Sequence, residues 1–150
     1  MKNLNRLMIK IGILREGKIP PDRRVALTPL QCKKIKEKYP EIKLLVQPSS
    51  VRCYSDQEYA DMGIELKEDV SECDIFIGIK EVPVDNLISD KKYFFFSHTI
   101  KSQPHNKKLM KALINKNIQM IDYETLVDEN NNRLIGFGHF AGIVGAYNGL

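Results

Sequence analysis

Residues 74–101, DIFIGIKEVPVDNLISDKKYFFFSHTIK, decide how the chain is read. They hold two short apolar runs, 75–79 and 93–96, rich in Ile and Phe and bounded by polar residues. Runs of this length and composition predict strands buried on both faces, as in a parallel sheet. Each run leads to a group able to move a proton: Lys80 follows the first, and His98 stands just beyond the second. Parallel neighbours lie about 4.8 Å apart, so adjacent strands would bring the two side chains together. Both would then stand at the carboxyl edge of an open α/β sheet, where such sheets place their ligands.

Working outward, 8–14 (MIKIGIL) predicts the first strand, followed by a charged loop with two adjacent prolines, REGKIPPDRRVALTP. A helix opens after it: Thr28 is the cap, Pro29 fits the first helical position, and Gln31 completes a capping box. It should stop before Pro40, because a residue preceding proline avoids helical angles. A second buried strand is expected near 42–47, and a short helix over 55–63 with Ser55 as cap, Glu58 as box partner and Gly63 as terminator. Residues 64–66 suggest a small strand and EDVSEC (68–73) a single helical turn before a strand at 74–79. Further strands are expected near 93–97 and 118–122, with a helix over 104–115 between them. LVDENNNRLIGFG (126–138) carries a hairpin signal. HFAGIVGAYNGL (139–150) predicts a helix whose Gly142, Gly145 and Gly149 would permit close packing. Strands alternating with helices predict a doubly wound, mostly parallel α/β sheet, Rossmann-like or flavodoxin-like.

The totals narrow the function classes. With 150 residues and 43% apolar content, the chain suits one globular domain with a real core. No apolar run reaches the 18 or so residues of a membrane span, and the basic, apolar start lacks a small-residue cleavage site, so no membrane association is expected. The net charge of +4 is spread over helices, notably Lys33, Lys34, Lys36, Lys38, Lys107, Lys108 and Lys111. Solvated helix faces account for that pattern, and no nucleic-acid partner is expected. Cys32, Cys53 and Cys73 form an odd, widely spaced set without a ligand pattern, which argues for reduced thiols in a cytoplasm and against a metal site. The chain ends within an apolar helix, so Ile143, Val144, Tyr147 and Leu150 are expected to meet a further domain or, left bare, to favour self-association.

Taken singly, Lys80 reads equally as a surface lysine and His98 as a hydrogen-bonded core histidine. As a pair on one cleft they suit proton transfer around an amine or imine, since burial lowers a lysine pKa and histidine titrates near neutrality. Arg24 and Arg133 are candidate carboxylate clamps, and Lys101 and Glu124 are further polar candidates. GFGHFAG (136–142) is no dinucleotide fingerprint: it lacks the GxGxxG spacing and does not open a βαβ unit.

RRVALTP (23–29), GIKEVP (78–83), FFSHTIK (95–101), IDYE (121–124) and RLIGFGHFAG (133–142) together resemble the amino-terminal domain of saccharopine dehydrogenases and lysine-ketoglutarate reductases. More remotely they resemble alanine dehydrogenase and the transhydrogenase amino-terminal domain. SHTIKSQPHN (97–106) with RLIGFGHFAG points to the lysine-pathway branch. The resemblance implies an NAD- or NADP-dependent oxidoreductase in which residues 1–150 form the amino-terminal substrate and catalytic domain. It implies Lys80 and His98 as the acid–base pair, and Arg24, Lys101, Glu124 and Arg133 as the groups holding a small amino-acid or 2-oxo-acid substrate. Glu81 would tune the charge of the site. The cofactor would be bound by a Rossmann domain absent from this chain, leaving the isolated chain inactive. The alternatives are an alanine dehydrogenase-like domain using the same pair, and a free-standing binding module without catalysis.

Overall fold

The computed structural model describes residues 8–149. Six strands form one parallel sheet: β1 (Ile9–Ile13), β2 (Ile42–Val46), β3 (Glu65–Leu66), β4 (Ile75–Lys80), β5 (Lys92–Phe96) and β6 (Gln119–Asp122). Their order across the sheet is β3-β2-β1-β4-β5-β6. This is the doubly wound order, with its switch point between β1 and β4. The buried runs of residues 74–101 thus become adjacent parallel strands, Ile77 opposite Phe94.

Helices flank both faces. On one, α1 (Pro29–Lys38) and α2 (Asp56–Asp61) bring Cys32 and Tyr59 against Ile13, Leu44 and Val46. On the other, α3 (Lys107–Asn115) lays Leu109 and Leu113 on Leu45, Phe76, Tyr93 and Phe95. The Phe76 and Tyr93 rings lie 4.9 Å apart between centroids, and Tyr93 meets Phe95 edge-on at 6.2 Å. A third cluster, Ile79, Phe96 and Tyr123 with Ile77 and Phe94, lies at the β4–β5–β6 end, roofed by Ala26, Leu126 and Ile135 from loops.

The helix punctuation follows the sequence. Thr28 Oγ1 accepts the Gln31 N–H at 3.3 Å, while Gln31 Oε1 accepts the Thr28 N–H at 2.8 Å. Ser55 and Glu58 exchange the same pair of bonds at 3.3 and 2.7 Å. Gly63 adopts φ 69°, the left-handed angle that lets its N–H reach back to Ala60 C=O.

Three expectations need correction. Residues 68–73 form no helical turn; a single bond from Cys73 N–H to Val70 C=O closes a turn there. The expected hairpin over 126–138 shrinks to one antiparallel bridge, Val127 with Arg133. Its Asn-rich tip is instead organised by Asp128, which accepts the N–H groups of Asn130 and Asn132 at 2.9 and 2.8 Å. The last helix, α4 (Gly138–Asn148), is exposed along its length, and a Cβ at Gly142 or Gly145 would meet nothing within 4 Å, so its glycines meet no close neighbour. Ile143, Val144 and Tyr147 are exposed on it; Leu150 lies outside the described residues. Cys32 and Cys73 are buried free thiols and Cys53 an exposed one. Among the described residues no helix is long and apolar enough to cross a membrane.

Candidate active site

Three neighbouring strands end at one cleft. It is lined by Lys80 at the end of β4, Phe96 and His98 at the end of β5, Glu124 just past β6, and by Arg24, Lys101, Arg133, Phe137 and His139 from the loops around them. Six of the seven residues singled out from sequence therefore share one open cleft at the carboxyl edge of the sheet. The seventh, Glu81, points elsewhere. It lines an adjoining cavity of about 290 Å³ at the switch point and pairs with Lys18. Burial pushes the Glu81 carboxyl up, but Lys18, its own backbone N–H and the nearby His98 together hold it below the usual range.

Lys80 reaches the cleft because β4 is irregular. Ile77 pairs with Phe94, yet Lys80 pairs with Phe96, so β4 spends one more residue than β5 over the same interval. An extra residue of this kind bends a strand and re-aims a side chain; here it brings Lys80 into register with the ring that floors the cleft. The backbone N–H groups of Ile79 and Lys80 are taken by the Glu16 carboxylate, at 2.7 and 2.8 Å. Burial raises the pKa of Glu16, against the pull of these two N–H donors. Glu16 was not singled out from sequence. Its place just after β1 marks it in the sequence only as a charge near the carboxyl edge.

His98 sits in the left-handed region, φ 56°, and its ring stacks on Phe96 with centroids 6.4 Å apart and planes 17° from parallel. Its Nδ1 lies 3.3 Å from Glu124 Oε2, within ion-pair distance once the imidazole is protonated. The angle is too poor for a hydrogen bond, so both atoms are buried without a hydrogen-bond partner among the described residues. The Glu124 side chain is 3% exposed, and its other oxygen lies 3.6 Å from both Lys101 Nζ and Arg133 Nη1. Arg24 is gripped by Asp22, Nε to Oδ1 at 2.9 Å and Nη2 to Oδ2 at 2.6 Å, and its guanidinium lies 4.4 Å over the Phe137 ring. The guanidinium holds the Asp22 carboxyl below its ordinary value against the opposing effect of burial.

Arg24, Lys80, Lys101 and Arg133 line the cleft together with Glu124, and even with Asp22 paired to Arg24 the cations outnumber the carboxylates, leaving it net positive. An acidic small molecule suits such a site, with the Phe96 and Phe137 rings, 5.9 Å apart between centroids, to exclude water from one side. The first βα turn does not suit a dinucleotide. Instead of a tight glycine turn, a long loop joins β1 to α1, and the first-turn N–H of Gln31 is already taken by Thr28.

Known proteins agree with this fold. Residues 12–144 match the model of the family described as alanine dehydrogenase/PNT, N-terminal domain. The chain is 41% identical over 138 residues to the mitochondrial alpha-aminoadipic semialdehyde synthase of Rattus norvegicus, covering 92% of this chain and 15% of that protein. It is 32% identical over 147 residues to the saccharopine dehydrogenase [NAD(+), L-lysine-forming] of Yarrowia lipolytica, covering 95% and 39% respectively. Among solved structures, an L-alanine dehydrogenase superposes with a TM-score of 0.69 at 20% identity, over 83% of this chain and 35% of that one. The chain thus spans well under half the length of each of these proteins. With the family match running from within β1 into α4, the chain belongs to the alanine dehydrogenase/PNT N-terminal domain family.

Proposed function

We propose that this chain is the substrate-binding and acid–base half of an NAD- or NADP-dependent oxidoreductase that oxidises or forms the secondary amine saccharopine. The observation that carries this reading is the meeting of Lys80 and His98 in one cleft with Arg24, Lys101, Arg133 and Glu124. The names of the relatives supply the chemistry: one is a NAD(+)-dependent, L-lysine-forming saccharopine dehydrogenase. The nicotinamide cofactor is bound by a part of the parent enzyme outside these 150 residues. The exposed apolar side of α4, with Ile143, Val144 and Tyr147, is the surface for that part to cover.

Oxidation of a secondary amine takes two electrons from the C–N unit, and the nitrogen must lose its proton. The resulting imine is hydrolysed: water adds to carbon and gives up a proton, and the departing amine gains one. One group therefore accepts protons and another donates them, each within about 3 Å of the reacting centre or one water away. Lys80 and His98 take these roles as a pair. Arg24, Arg133 and Lys101 hold the substrate carboxylates, Glu124 orients His98 and the substrate's amino group, and Glu81 sets the charge behind Lys80.

Steady-state kinetics on the parent enzyme test this. Lys80→Met and His98→Gln should each lower turnover by about 10²–10⁴-fold with substrate still bound. Arg24→Ala and Arg133→Ala should mainly raise KM, because a carboxylate clamp acts on ground and transition states alike. Near-normal turnover in both Lys80→Met and His98→Gln would overturn the proposal, as would turnover of alanine in preference to saccharopine.

A further inference from the structure

The carboxylate that organises the His98–Glu124 contact does not line the cleft at all. Asp122, the last residue of β6, is 5% exposed and pairs in register with Phe95. It accepts three hydrogen bonds. Its Oδ1 takes the Glu124 N–H at 2.9 Å and the Ser97 N–H at 3.4 Å, and its Oδ2 takes the Ser97 hydroxyl. Ser97 is fully buried, and its Oγ in turn accepts the Thr99 N–H at 3.1 Å and lies 2.7 Å from Thr99 Oγ1. The residues on either side of His98 are thus tied to the same carboxylate that fixes the backbone of Glu124.

This tether has something to hold. A histidine at φ 56° occupies the left-handed region, which strains an L residue, and such a backbone persists only where its surroundings over-determine it. The His98 carbonyl is held as well: it accepts from Nδ2 of Asn106, 6% exposed, at 2.8 Å and from the Lys101 N–H at 3.3 Å. With the backbone pinned on both sides, the imidazole is set against Phe96 and its Nδ1 is left facing Glu124 Oε2.

We propose that Asp122, acting through Ser97, is a positioning residue that sets the His98 imidazole against the Glu124 carboxylate. Its kinetic consequence rests on the acid–base reading of His98 given above; its structural consequence does not. Neither residue touches the cleft, so loss of either displaces the proton-handling group without removing a substrate contact. Misplacement of a catalytic group by about 1 Å costs about 100-fold in rate.

Two measurements test the proposal separately from the function. The first is nitrogen-15 NMR of the histidine rings in this chain, with the His98 signals assigned by their loss in His98→Gln. In Asp122→Asn and in Ser97→Ala, the His98 ring signals should shift or broaden, while those of His105 and His139 stay in place. The second is a kinetic cycle in the parent enzyme. Asp122→Asn and Ser97→Ala should lower kcat by about 10–100-fold with KM changed less than about threefold. Glu124→Gln should then cost less in the Asp122→Asn background than alone, because the contact it removes is already broken. Unchanged His98 ring signals in folded Ser97→Ala, or strictly additive kinetic effects, overturn the proposal. Ser97→Ala removes one hydroxyl and leaves Asp122 in place, so it keeps the test open even where Asp122→Asn fails to fold. Moved ring signals in a parent that does not turn over saccharopine would uphold the tether and refute the function.

Discussion

Replacing Glu16 with Gln should destabilise the fold in a pH-dependent way whose sign is fixed by the site. Glu16 takes the N–H groups of Ile79 and Lys80 at 2.7 and 2.8 Å, where the irregularity in β4 interrupts the ladder. A glutamine offers one acceptor; its amide NH₂ would face the second N–H donor to donor. Hydrogen bonds to a charged group contribute about 1.5–3 kcal/mol, and an orphaned buried donor costs about 1–3 kcal/mol. Removing a half-buried charge gives part of this back, leaving a net loss of about 2 kcal/mol. For a chain of 150 residues that lowers Tm by about 4–8 °C. Burial raises the folded-state pKa of Glu16 above its ordinary value of 4.5. The folded state therefore binds this proton more tightly than the unfolded state. The stability this confers is full below about pH 4.5 and is lost as pH rises through the folded pKa. The glutamine variant has no such proton. The advantage of the wild type should be largest near pH 4.5, shrink as pH rises through that window, and level off above it. Thermal unfolding of both proteins at half-unit steps from pH 4 to pH 8 measures this. An advantage that grows with pH would show that the two N–H donors outweigh burial. Equal Tm values throughout would show that the freed N–H groups do not depend on Glu16.

Two further outcomes bear on the frame around the site. Gly12 stands opposite Phe76, and a Cβ there would lie 2.9 Å from Phe76 Cδ1 and 3.3 Å from Cys73 Sγ. Gly12→Ala should therefore cost about 1–3 kcal/mol in urea unfolding, and Phe76→Leu should cost less in that background than alone; simple additivity would refute the clash. Thr28→Ala removes one half of the capping box on α1 and should cost about 1 kcal/mol, read in the same assay, with an unchanged midpoint refuting it.

The frame was legible because its signals are local. Five strands lie where short apolar runs sit between polar residues, and Thr28, Ser55 and Gly63 mark helix ends through bonds within three residues of themselves. Lys80, His98 and Glu124 were legible for a related reason, since they stand at or just past a strand end, whereas Arg24, Lys101 and Arg133 come from the segments around them. The failures share a different cause. EDVSEC has the composition of a helical turn, yet Val70 and Cys73 are drawn into the core beside Phe76, and that pull is not encoded within six residues. The flanks of the Asn-rich turn do pair, Leu134 N–H on Leu126 C=O beside the Val127–Arg133 bridge, but the ladder stops there and Ile135 packs against the cluster of Ile79, Phe96 and Tyr123. The extra residue in β4 leaves no mark in the alternation, because a strand buried on both faces does not alternate. Glu16 and Asp122 could be seen only as charges, since what they hold lies 63 and 25 residues away.

Glu16 and Asp122 also explain why Lys80 and His98 can sit where they do. Parallel strands that end together leave backbone N–H groups unpaired at the carboxyl edge, and where these are buried they need an acceptor. Helix ends meet the same problem with capping side chains. Here two carboxylates meet it for the sheet: Glu16 takes the N–H groups at the end of β4, and Asp122 takes those just past β5 and β6. Each sits within two residues, or one strand, of a group that faces the cleft: Glu16 beside Lys80, Asp122 between His98 and Glu124. The backbone under Lys80 and under His98 is thereby fixed by acceptors that need not contact a substrate. The side chains of Lys80 and His98 reach the cleft from a backbone held in place beneath them.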